Sequence, residues 1–349
     1  MWYLRKTRKL NEVISKLLNG KNFDEAEAYV LMSQISRRNV PLPLVKKLLL
    51  SLNKKGVTAE ELAGFARALR KDSIRVKAKS DKLVDVCGTG GDKTNTFNVS
   101  TTAAFIAAGA GVKVAKHGNS KITSQCGSSD VLRELGINIY LNPNSVARCI
   151  DEVGIGFIYA PFHHRTFQYV SQIRKEIGER TVFNLLGPLI NPARVERQVL
   201  GVYEPKWTKM LCRVLKKIGS RRAYVVCGEG GLDEFSTIGA TEVADLNFGI
   251  ITHYGVFPED LGIKKVSINE IRGGRVSHNA KIISDCLGTK ILSSYQDIAL
   301  LNASAAIVVS DLAINLRDGL EMARNSLYSG SALAKLKLLR EFSSELSTA

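Results

Sequence analysis

Residues 83–118 read LVDVCGTGGDKTNTFNVSTTAAFIAAGAGVKVAKHG, and this stretch decides the fold class of the chain. A short apolar strand over 83–86 leads into a glycine-rich loop, and an alanine-rich helix follows from about Val99. A second strand is predicted over 111–115, with a polar loop over 116–127 after it. Strand, loop and helix in this order predict parallel strands that are connected by helices.

The same alternation continues towards the carboxyl terminus. Ser128 and Ser129 are candidate N-caps for a helix predicted over 130–135. Further strands are predicted at three apolar runs, 154–158, 223–227 and 305–309. We therefore predict an α/β domain with a mostly parallel central sheet that is flanked by helices.

The N-terminal part of the chain has a different pattern. Between residues 10 and 70, apolar residues recur at helical spacing in four sets, which turn signals such as Asn19-Gly20 separate. Thr58 and Glu61 have the spacing of a helix capping box. A lysine-rich linker then runs over 74–82. The sequence thus predicts a small all-helical domain over residues 1–76 and an α/β domain over residues 77–349.

The chain is strongly basic, with 49 Lys and Arg against 33 Asp and Glu and a formal net charge of +16. Such a surplus favours anionic partners, which include phosphorylated substrates and nucleic acid. The basic residues occur as short scattered pairs without interleaved aromatic residues, a pattern typical of a solvated surface. Nucleic-acid binding therefore stays an alternative that the sequence does not favour.

The six cysteines form no Cys-x-x-Cys pair, which argues against a zinc site or a redox dithiol. Free thiols in a chain of this size are typical of the reducing cytoplasm. The N-terminus lacks the apolar core of a signal peptide, and the best apolar stretch, 99–112, is too short to span a bilayer. We expect a cytoplasmic protein without a membrane partner.

The loop Gly88-Thr89-Gly90-Gly91-Asp92 is the first candidate site. Its glycines let backbone N–H groups approach phosphate oxygens, and the helix after it directs its N-terminus, with Asn98-Val99-Ser100-Thr101, towards the same place. The loop lacks the Gly-Lys-Ser/Thr ending of a P-loop and the spacing of a dinucleotide fingerprint. A plain turn is the alternative interpretation of the glycines alone.

Two further elements add charge. The second strand is followed by the loop Lys116-His117-Gly118-Asn119-Ser120-Lys121. Its lysine side chains are suited to binding phosphate. A structural hydrogen bond is the alternative for His117. Asp233-Glu234 follows the strand at 223–227, and two carboxylates with substrate phosphates are a typical Mg²⁺ environment. Solvated surface charge is the alternative for this pair.

Together these motifs resemble the anthranilate phosphoribosyltransferase family. The resemblance is carried, in order, by GTGGD at 88–92, NVST at 98–101, KHGN at 116–119, GS at 127–128 with DVL at 130–132, RTVFNLLGPLINP at 180–192 and DE at 233–234. It extends from the helical N-terminus to about residue 330. The set is specific because so many separate motifs occur in one order.

The resemblance implies roles for particular residues. It places phosphoribosyl diphosphate on Gly88, Gly91, Asp92, Thr96, Asn98, Val99, Ser100, Thr101, Lys116, Ser124 and Ser128. It places anthranilate on Gly88, Asn119, Arg174, His117 and Pro188. It assigns the binding of magnesium, with two ions expected beside the diphosphate, to Ser100, Asp233 and Glu234. The candidate catalytic residues are Lys116 and His117.

The resemblance also implies that helices near residues 170–190 join the small domain, and that the protein is a homodimer through that domain. Its expected reaction is transfer of phosphoribosyl to the amine of anthranilate in tryptophan biosynthesis. Two departures leave a different aromatic acceptor as an alternative. Ser120 stands where the family usually has arginine, and Arg165 lies in a stretch where the family usually has His-Pro.

Overall fold

The computed structural model describes residues 2–92, 94–120, 126–288 and 293–346, with no side chain described before residue 10. The N-terminal segment forms the four predicted helices: α1 (Trp2–Leu18), α2 (Glu25–Ser36), α3 (Leu42–Lys55) and α4 (Ala59–Asp72). The predicted capping box opens α4, where the Thr58 hydroxyl accepts from the Glu61 N–H at 3.2 Å and the Glu61 carboxylate accepts from the Thr58 N–H at 3.0 Å.

A seven-stranded sheet forms the centre of the rest of the chain. Its strands are β1 (Val84–Gly88), β2 (Val114–Gly118), β3 (Ile155–Tyr159), β4 (Arg197–Gly201), β5 (Arg222–Gly228), β6 (Thr241–Asn247) and β7 (Ile250–Val256). Their order is β3-β2-β1-β4-β5-β6-β7, and the first five are parallel whereas β6 and β7 are antiparallel. The predicted fold class is confirmed.

Helices cover both faces of the sheet. In chain order they are α5 (Val99–Gly109), α6 (Ser128–Glu134), α7 (Pro143–Arg148), α8 (Ala160–His163), α9 (Arg165–Tyr169), α10 (Ser171–Ile177), α11 (Val182–Leu186), α12 (Lys206–Lys217), α13 (Val276–Gly288), α14 (Ser294–Val309), α15 (Leu316–Tyr328) and α16 (Ser331–Glu345). A π-helical turn, Cys149–Val153, continues α7, and a 3₁₀ turn, Gly187–Ile190, continues α11.

Three details of the predicted elements are wrong. Residues 305–309 are the end of helix α14, not a strand, because a helix that is buried all round shows no periodicity to separate it from a buried strand. Gly127, rather than Ser128 or Ser129, occupies the N-cap of α6. Lys116 and His117 belong to strand β2 instead of the loop after it. Strands β4, β6 and β7 were not predicted from the sequence.

The sheet has one apolar core on each face. Alternate residues of β5 enter different cores: Tyr224 and Val226 pack with α5 and α13–α16, whereas Ala223 and Val225 pack with α12. The second core continues without a break into helices α1–α4 and also takes in Ile173 of α10 and Phe183 of α11. Helices α10 and α11 therefore pack with the N-terminal helices, while the predicted boundary at residue 76 stays a prediction.

Candidate active site

The site lies at the carboxyl ends of β1, β2 and β5, where ligands of parallel sheets bind. A cavity of about 280 Å³ there is lined by all of the predicted site residues that the structure describes: Gly88, Gly91, Asp92, Thr96, Asn98, Val99, Ser100, Thr101, Lys116, His117, Asn119, Ser128, Arg174, Pro188, Asp233 and Glu234. Ser124, and Lys121 of the second polar loop, lie outside the described residues. The binding role of each residue stays a prediction.

The glycine loop is held against the segment that carries Asp233. The N–H of Gly90 donates to Oδ2 of Asp233 at 2.8 Å, and Gly90 and Gly91 have φ angles of +67° and +81°. A Cβ on Gly88 would lie 2.2 Å from Oδ2 of Asp233, and one on Gly201 would lie 1.6 Å from its carbonyl oxygen. Glycine is therefore required by close packing at both strand ends.

Asp233 and Glu234 turn inward. Oε1 of Glu234 accepts from the N–H of Ser100 at 3.1 Å, at the N-terminus of α5. Burial, followed by repulsion from Asp92, raises the pKa of Asp233 to about 7, and burial with repulsion from Asp233 raises the pKa of Glu234 well above its ordinary value. The pair is thus a partly buried acidic cluster whose negative charge is costly without a nearby cation, and the alternative of solvated surface carboxylates does not describe it.

This charge is suited to a cation. In the parts of the chain that the structure describes, no three His, Cys, Asp or Glu side chains converge as a ready-made metal site. Mg²⁺ commonly binds one or two protein carboxylates and takes its other ligands from phosphates and water. The two carboxylates beside the hydroxyl of Ser100 therefore fit Mg²⁺ that arrives with a phosphorylated substrate.

Lys116 is buried at the base of the cavity. Its Nζ donates to the carbonyl oxygen of Val86 at 2.6 Å and to the hydroxyl of Ser100 at 3.2 Å. Burial lowers the pKa of Lys116, and the Asp85 carboxylate opposes that shift. The ammonium group is thus placed between the glycine loop and the start of α5, where it can meet an anionic oxygen.

His117 is also buried, and its ring packs against the ring of His164 with centroids 5.1 Å apart. Burial, followed by repulsion from His163, lowers the pKa of His117 to about 3. Within the described ranges its Nε2 has no hydrogen-bond partner. A ring that is neutral at physiological pH can accept a hydrogen bond, and the catalytic role of His117 stays a prediction.

Arg174 lines the cavity from α10. Its guanidinium lies 5.7 Å from the Phe167 ring and 5.6 Å from the Phe183 ring, and burial lowers its pKa. A wider cavity of about 1160 Å³ opens beside it and shares Gly91, Asp92, Asn119 and Arg174 with the first. The two rings pack edge to face with centroids 5.1 Å apart, and a planar cation beside them suits an aromatic carboxylate.

Known proteins resemble this chain over almost its whole length. The α/β domain of the glycosyl transferase family matches residues 80–333, and the helical bundle domain of that family matches residues 11–73. Anthranilate phosphoribosyltransferase of Roseiflexus sp. is 46% identical over 95% of this chain and 97% of its own.

Solved structures agree. Anthranilate phosphoribosyltransferase from Thermus thermophilus superimposes with a TM-score of 0.90 at 35% identity, covering 95% of this chain and 99% of its own. The Saccharomyces cerevisiae protein, solved in complex with PRPP and Mg, gives a TM-score of 0.87 at 29% identity, over 96% and 98% of the two chains. The chain belongs to the anthranilate phosphoribosyltransferase family.

The two departures from the family pattern lie in different surroundings. Ser120 lines the cavity, and its hydroxyl is 2.9 Å from the Ser129 hydroxyl and 3.0 Å from the Tyr159 hydroxyl. Arg165 is exposed on α9 and is not among the residues that line either cavity. Of these two positions, only Ser120 lines a cavity.

Sequence reasoning missed several residues of this family site. His164, Phe167 and Phe183 also line the cavity, and Arg180 reaches the glycine loop by donating to the carbonyl oxygen of Gly91. For Arg180 and Phe183 a signal was present, because 180–192 is one of the family motifs, but no pattern within it showed which side chain turns towards the site. No helix among the described residues has the length and apolarity that a bilayer span requires.

Proposed function

We propose that this chain transfers the 5-phosphoribosyl group of phosphoribosyl diphosphate to the amine of anthranilate and releases diphosphate, as a step of tryptophan biosynthesis. The observation that carries the proposal is one cavity that is lined both by a glycine loop with paired carboxylates and by Arg174, whose guanidinium lies beside two aromatic rings. The relatives from Roseiflexus sp. and Thermus thermophilus are named for this activity, which supports the proposal.

The donor binds at the glycine loop. Gly88, Gly91 and Asp92, with the start of α5 from Asn98 to Thr101, present N–H and hydroxyl groups to its phosphates. Thr96 and Ser128 line the same cavity, and Ser124 completes the proposed set. Lys116 faces the leaving diphosphate and stabilises the negative charge that develops on it.

Asp233, Glu234 and Ser100 hold magnesium in this proposal, with two ions beside the diphosphate. Mg²⁺ bound there neutralises phosphate charge and favours departure of diphosphate from the anomeric carbon. The raised pKa values of the two carboxylates support this assignment, because a bound cation would offset both the burial and the repulsion that raise them. The structure of the yeast relative, which contains PRPP and Mg, also supports it.

The acceptor binds between Arg174 and the glycine loop. The guanidinium fork of Arg174 receives the carboxylate of anthranilate, while Asn119, His117, Pro188 and Gly88 bound the ring and the amine. An aromatic amine is neutral at physiological pH and needs no strong base, so its orientation against the anomeric carbon supplies most of the catalytic effect. A buried neutral His117 is consistent with a positioning role.

The homodimer expected from the family, and cytoplasmic placement, are part of the same proposal. None of the six cysteines, all of which the structure describes, forms a disulfide, and five of them are buried. Free thiols support a reducing compartment. Sedimentation of the purified chain tests the dimer, and a monomer at micromolar concentration would contradict it.

An initial-rate assay tests the activity. Purified protein is mixed with phosphoribosyl diphosphate, Mg²⁺ and anthranilate, and released diphosphate is measured with and without anthranilate. We expect release that requires all three components. The double variant Asp233→Ala with Glu234→Ala serves as the control for contaminating enzymes, and diphosphate release independent of anthranilate would refute the proposal.

A different aromatic acceptor is the second candidate, and Ser120 is the observation that favours it. Its small hydroxyl, bonded to Ser129 and Tyr159, leaves space at a position where the family usually has arginine. A panel of aminobenzoates and related aromatic bases should be compared by kcat/KM. Anthranilate should rank first, and any acceptor that exceeds it about tenfold would replace it in the proposal.

A further inference from the structure

The two strands that carry the phosphate-binding loops separate from each other. Strands β1 and β2 share one register pair, Val84 with Val114, whereas β2 pairs with β3, and β1 with β4, along the full five residues. The N–H of Val84 donates to the carbonyl oxygen of Lys113 at 2.9 Å. In a parallel ladder the next rung would join Val86 to Ala115 and to His117. The strands have parted before that rung.

Side chains bind three of the four main-chain groups that the missing rung leaves unpaired. The carbonyl oxygen of Val86 accepts from Nζ of Lys116 at 2.6 Å. The carbonyl oxygen of Ala115 accepts from Nδ2 of Asn191 at 2.8 Å, and the N–H of His117 donates to Oδ1 of Asp85 at 3.1 Å. Because buried main-chain groups need partners, these three side chains are what allows the strands to stay apart.

Asp85 and Asn191 form one unit within this gap. Oδ2 of Asp85 accepts from Nδ2 of Asn191 at 2.8 Å, and both side chains have no exposed surface. Oδ1 of Asn191 accepts from the N–H of Ala193 at 2.8 Å, which fixes the orientation of the amide. A fully buried carboxylate is costly unless it is paired, and here the Lys116 ammonium and three donors compensate it.

The same gap is tied to the acceptor side. Gln198 of β4 donates from Nε2 to the carbonyl oxygen of Pro188 at 2.8 Å, and the same Nε2 lies 3.1 Å from Sγ of Cys87. Sγ of Cys87 lies 3.5 Å from Oδ2 of Asp85. The polar network thus runs from the base of the glycine loop to the segment 187–192, which lines the other side of the cavity.

We propose that Asp85, together with Asn191, is a positioning residue of the donor site, which replaces the missing rung between β1 and β2 and thereby aims Lys116 and the glycine loop at the diphosphate. The inference rests on the proposed function, because it names the residue that prepares that site. Asp85 lies beneath the cavity and is not among the residues that line it, so it acts through Lys116 and the backbone of His117. No motif reasoning assigned it a role.

The test compares Asp85→Asn with wild type. The variant keeps the size of the side chain but turns an NH₂ group towards either the N–H of His117 or the amide of Asn191, so that two donors face each other. The matched control is Glu61→Gln, which alters another fully buried carboxylate that is paired with a lysine, 2.8 Å from Nζ of Lys55, in the helical bundle. Both variants should lose stability, but only Asp85→Asn should lose affinity for phosphoribosyl diphosphate.

Initial rates give kcat and both KM values, and calorimetry gives the Kd for phosphoribosyl diphosphate with Mg²⁺. For Asp85→Asn we expect kcat/KM for phosphoribosyl diphosphate to fall about 100-fold, with a smaller change, about threefold, in the KM for anthranilate. Glu61→Gln should lower the melting temperature without affecting phosphoribosyl diphosphate more than anthranilate. Equal losses for both substrates, or a donor Kd unchanged in Asp85→Asn, would overturn the inference.

Two further measurements keep the outcome decisive. If Asp85→Asn fails to fold, Asn191→Ala replaces it, because it removes the donor to Ala115 and to Asp85 while Asp85 remains. If the wild type shows no transfer to anthranilate, the proposed function fails, but the calorimetric Kd still decides whether Asp85 and Asn191 prepare a site for the sugar diphosphate. A tighter or equal Kd in Asn191→Ala counts against the inference.

Discussion

The guanidinium of Arg180 stacks on the ring of Tyr203, with 3.6 Å between Cζ and the ring centroid. From this position it donates to the carbonyl oxygen of Gly91, and a Cβ on Gly91 would lie 2.8 Å from its Nη2. Arg180 precedes α11, which packs with the N-terminal helices, whereas Gly91 belongs to the glycine loop. The stacked arginine therefore connects the helical part of the molecule with the loop that meets phosphate.

Replacement of Arg180 by lysine should weaken donor binding. Lysine keeps the charge but loses the planar stack on Tyr203 and the fork that reaches Gly91. We expect the KM for phosphoribosyl diphosphate to rise about tenfold in initial-rate measurements, which corresponds to about 1.4 kcal/mol. Arg165→Lys, at an exposed arginine of α9 outside both cavities, is the control and should behave as wild type.

Removal of the carboxylate pair should reveal the metal site. In Asp233→Ala with Glu234→Ala we expect a lower kcat and a Mg²⁺ midpoint at least about tenfold higher, because the ion loses its protein ligands. The measurement is activity across a magnesium titration. Asp285→Ala, which breaks an exposed ion pair of α13 with Lys281, controls for general loss of acidic charge. An identical titration for the double variant would remove the pair from the metal site.

Arg174→Ala should separate the two substrates. A charge-assisted hydrogen bond contributes about 1.5–3 kcal/mol, so the KM for anthranilate should rise about 10- to 100-fold. The KM for phosphoribosyl diphosphate should change much less. The KM for anthranilate of Arg174→Lys should lie between those of wild type and Arg174→Ala, because lysine restores the charge without the planar fork. A similar rise in both KM values would indicate collapse of the cavity rather than loss of a carboxylate partner.

The buried histidines predict how stability depends on pH. The pKa of His117 is lowered to about 3, so between about pH 6.5 and that value the unfolded chain binds more protons than the folded one. The free energy of unfolding should therefore fall as the pH is lowered through this window, by up to about 1.4 kcal/mol per pH unit for this group.

Urea unfolding at pH 7, 6 and 5 measures this dependence. His117→Asn should flatten it relative to wild type, because asparagine does not titrate. His278→Asn, at an exposed histidine of α13, should leave the slope unchanged. Parallel curves for wild type and His117→Asn would show that His117 is not buried in its neutral form.

Gly64 is expected to be irreplaceable in the helical bundle. A Cβ there would lie 2.3 Å from the carbonyl oxygen of Glu25 and 2.6 Å from Cβ of Ala28, so α2 and α4 would have to separate. Overpacking of this kind costs about 1–3 kcal/mol, which should outweigh the helix propensity gained. Thermal unfolding of Gly64→Ala checks this, against Gly255→Ala on the exposed strand β7, where the nearest atom is 3.7 Å away.

Local patterns predicted much of the fold. Helical periodicity identified α1–α4, and short apolar runs next to glycine identified β1 and β3. The same reasoning failed for α14, whose residues are buried on all sides. It also missed β4, which begins with Arg197 and Gln198, because their polar side chains gave no sign that both are buried.

The candidate site divides in a similar way. Residues in consecutive motifs, such as Gly88 and Lys116, could be found because each motif has its own chemistry. Asp85 and Asn191 could not, because they are 106 positions apart and only the folded chain brings them to 2.8 Å. His117 was identified as a site residue, but its neutral state depends on the depth of burial and on repulsion from His163, which no local pattern contains.

The apolar core that α1–α4 share with α12 and one face of the sheet has a consequence for cooperativity. The family's two domains meet between residues 73 and 80, yet that core continues across the boundary. A chain beginning at residue 77 would expose α12 and the apolar sides of α10 and α11, and should aggregate rather than fold as a catalytic half. On heating, the two apolar cores on the faces of the sheet should therefore be the cooperative unfolding units, rather than the helical domain and the α/β domain.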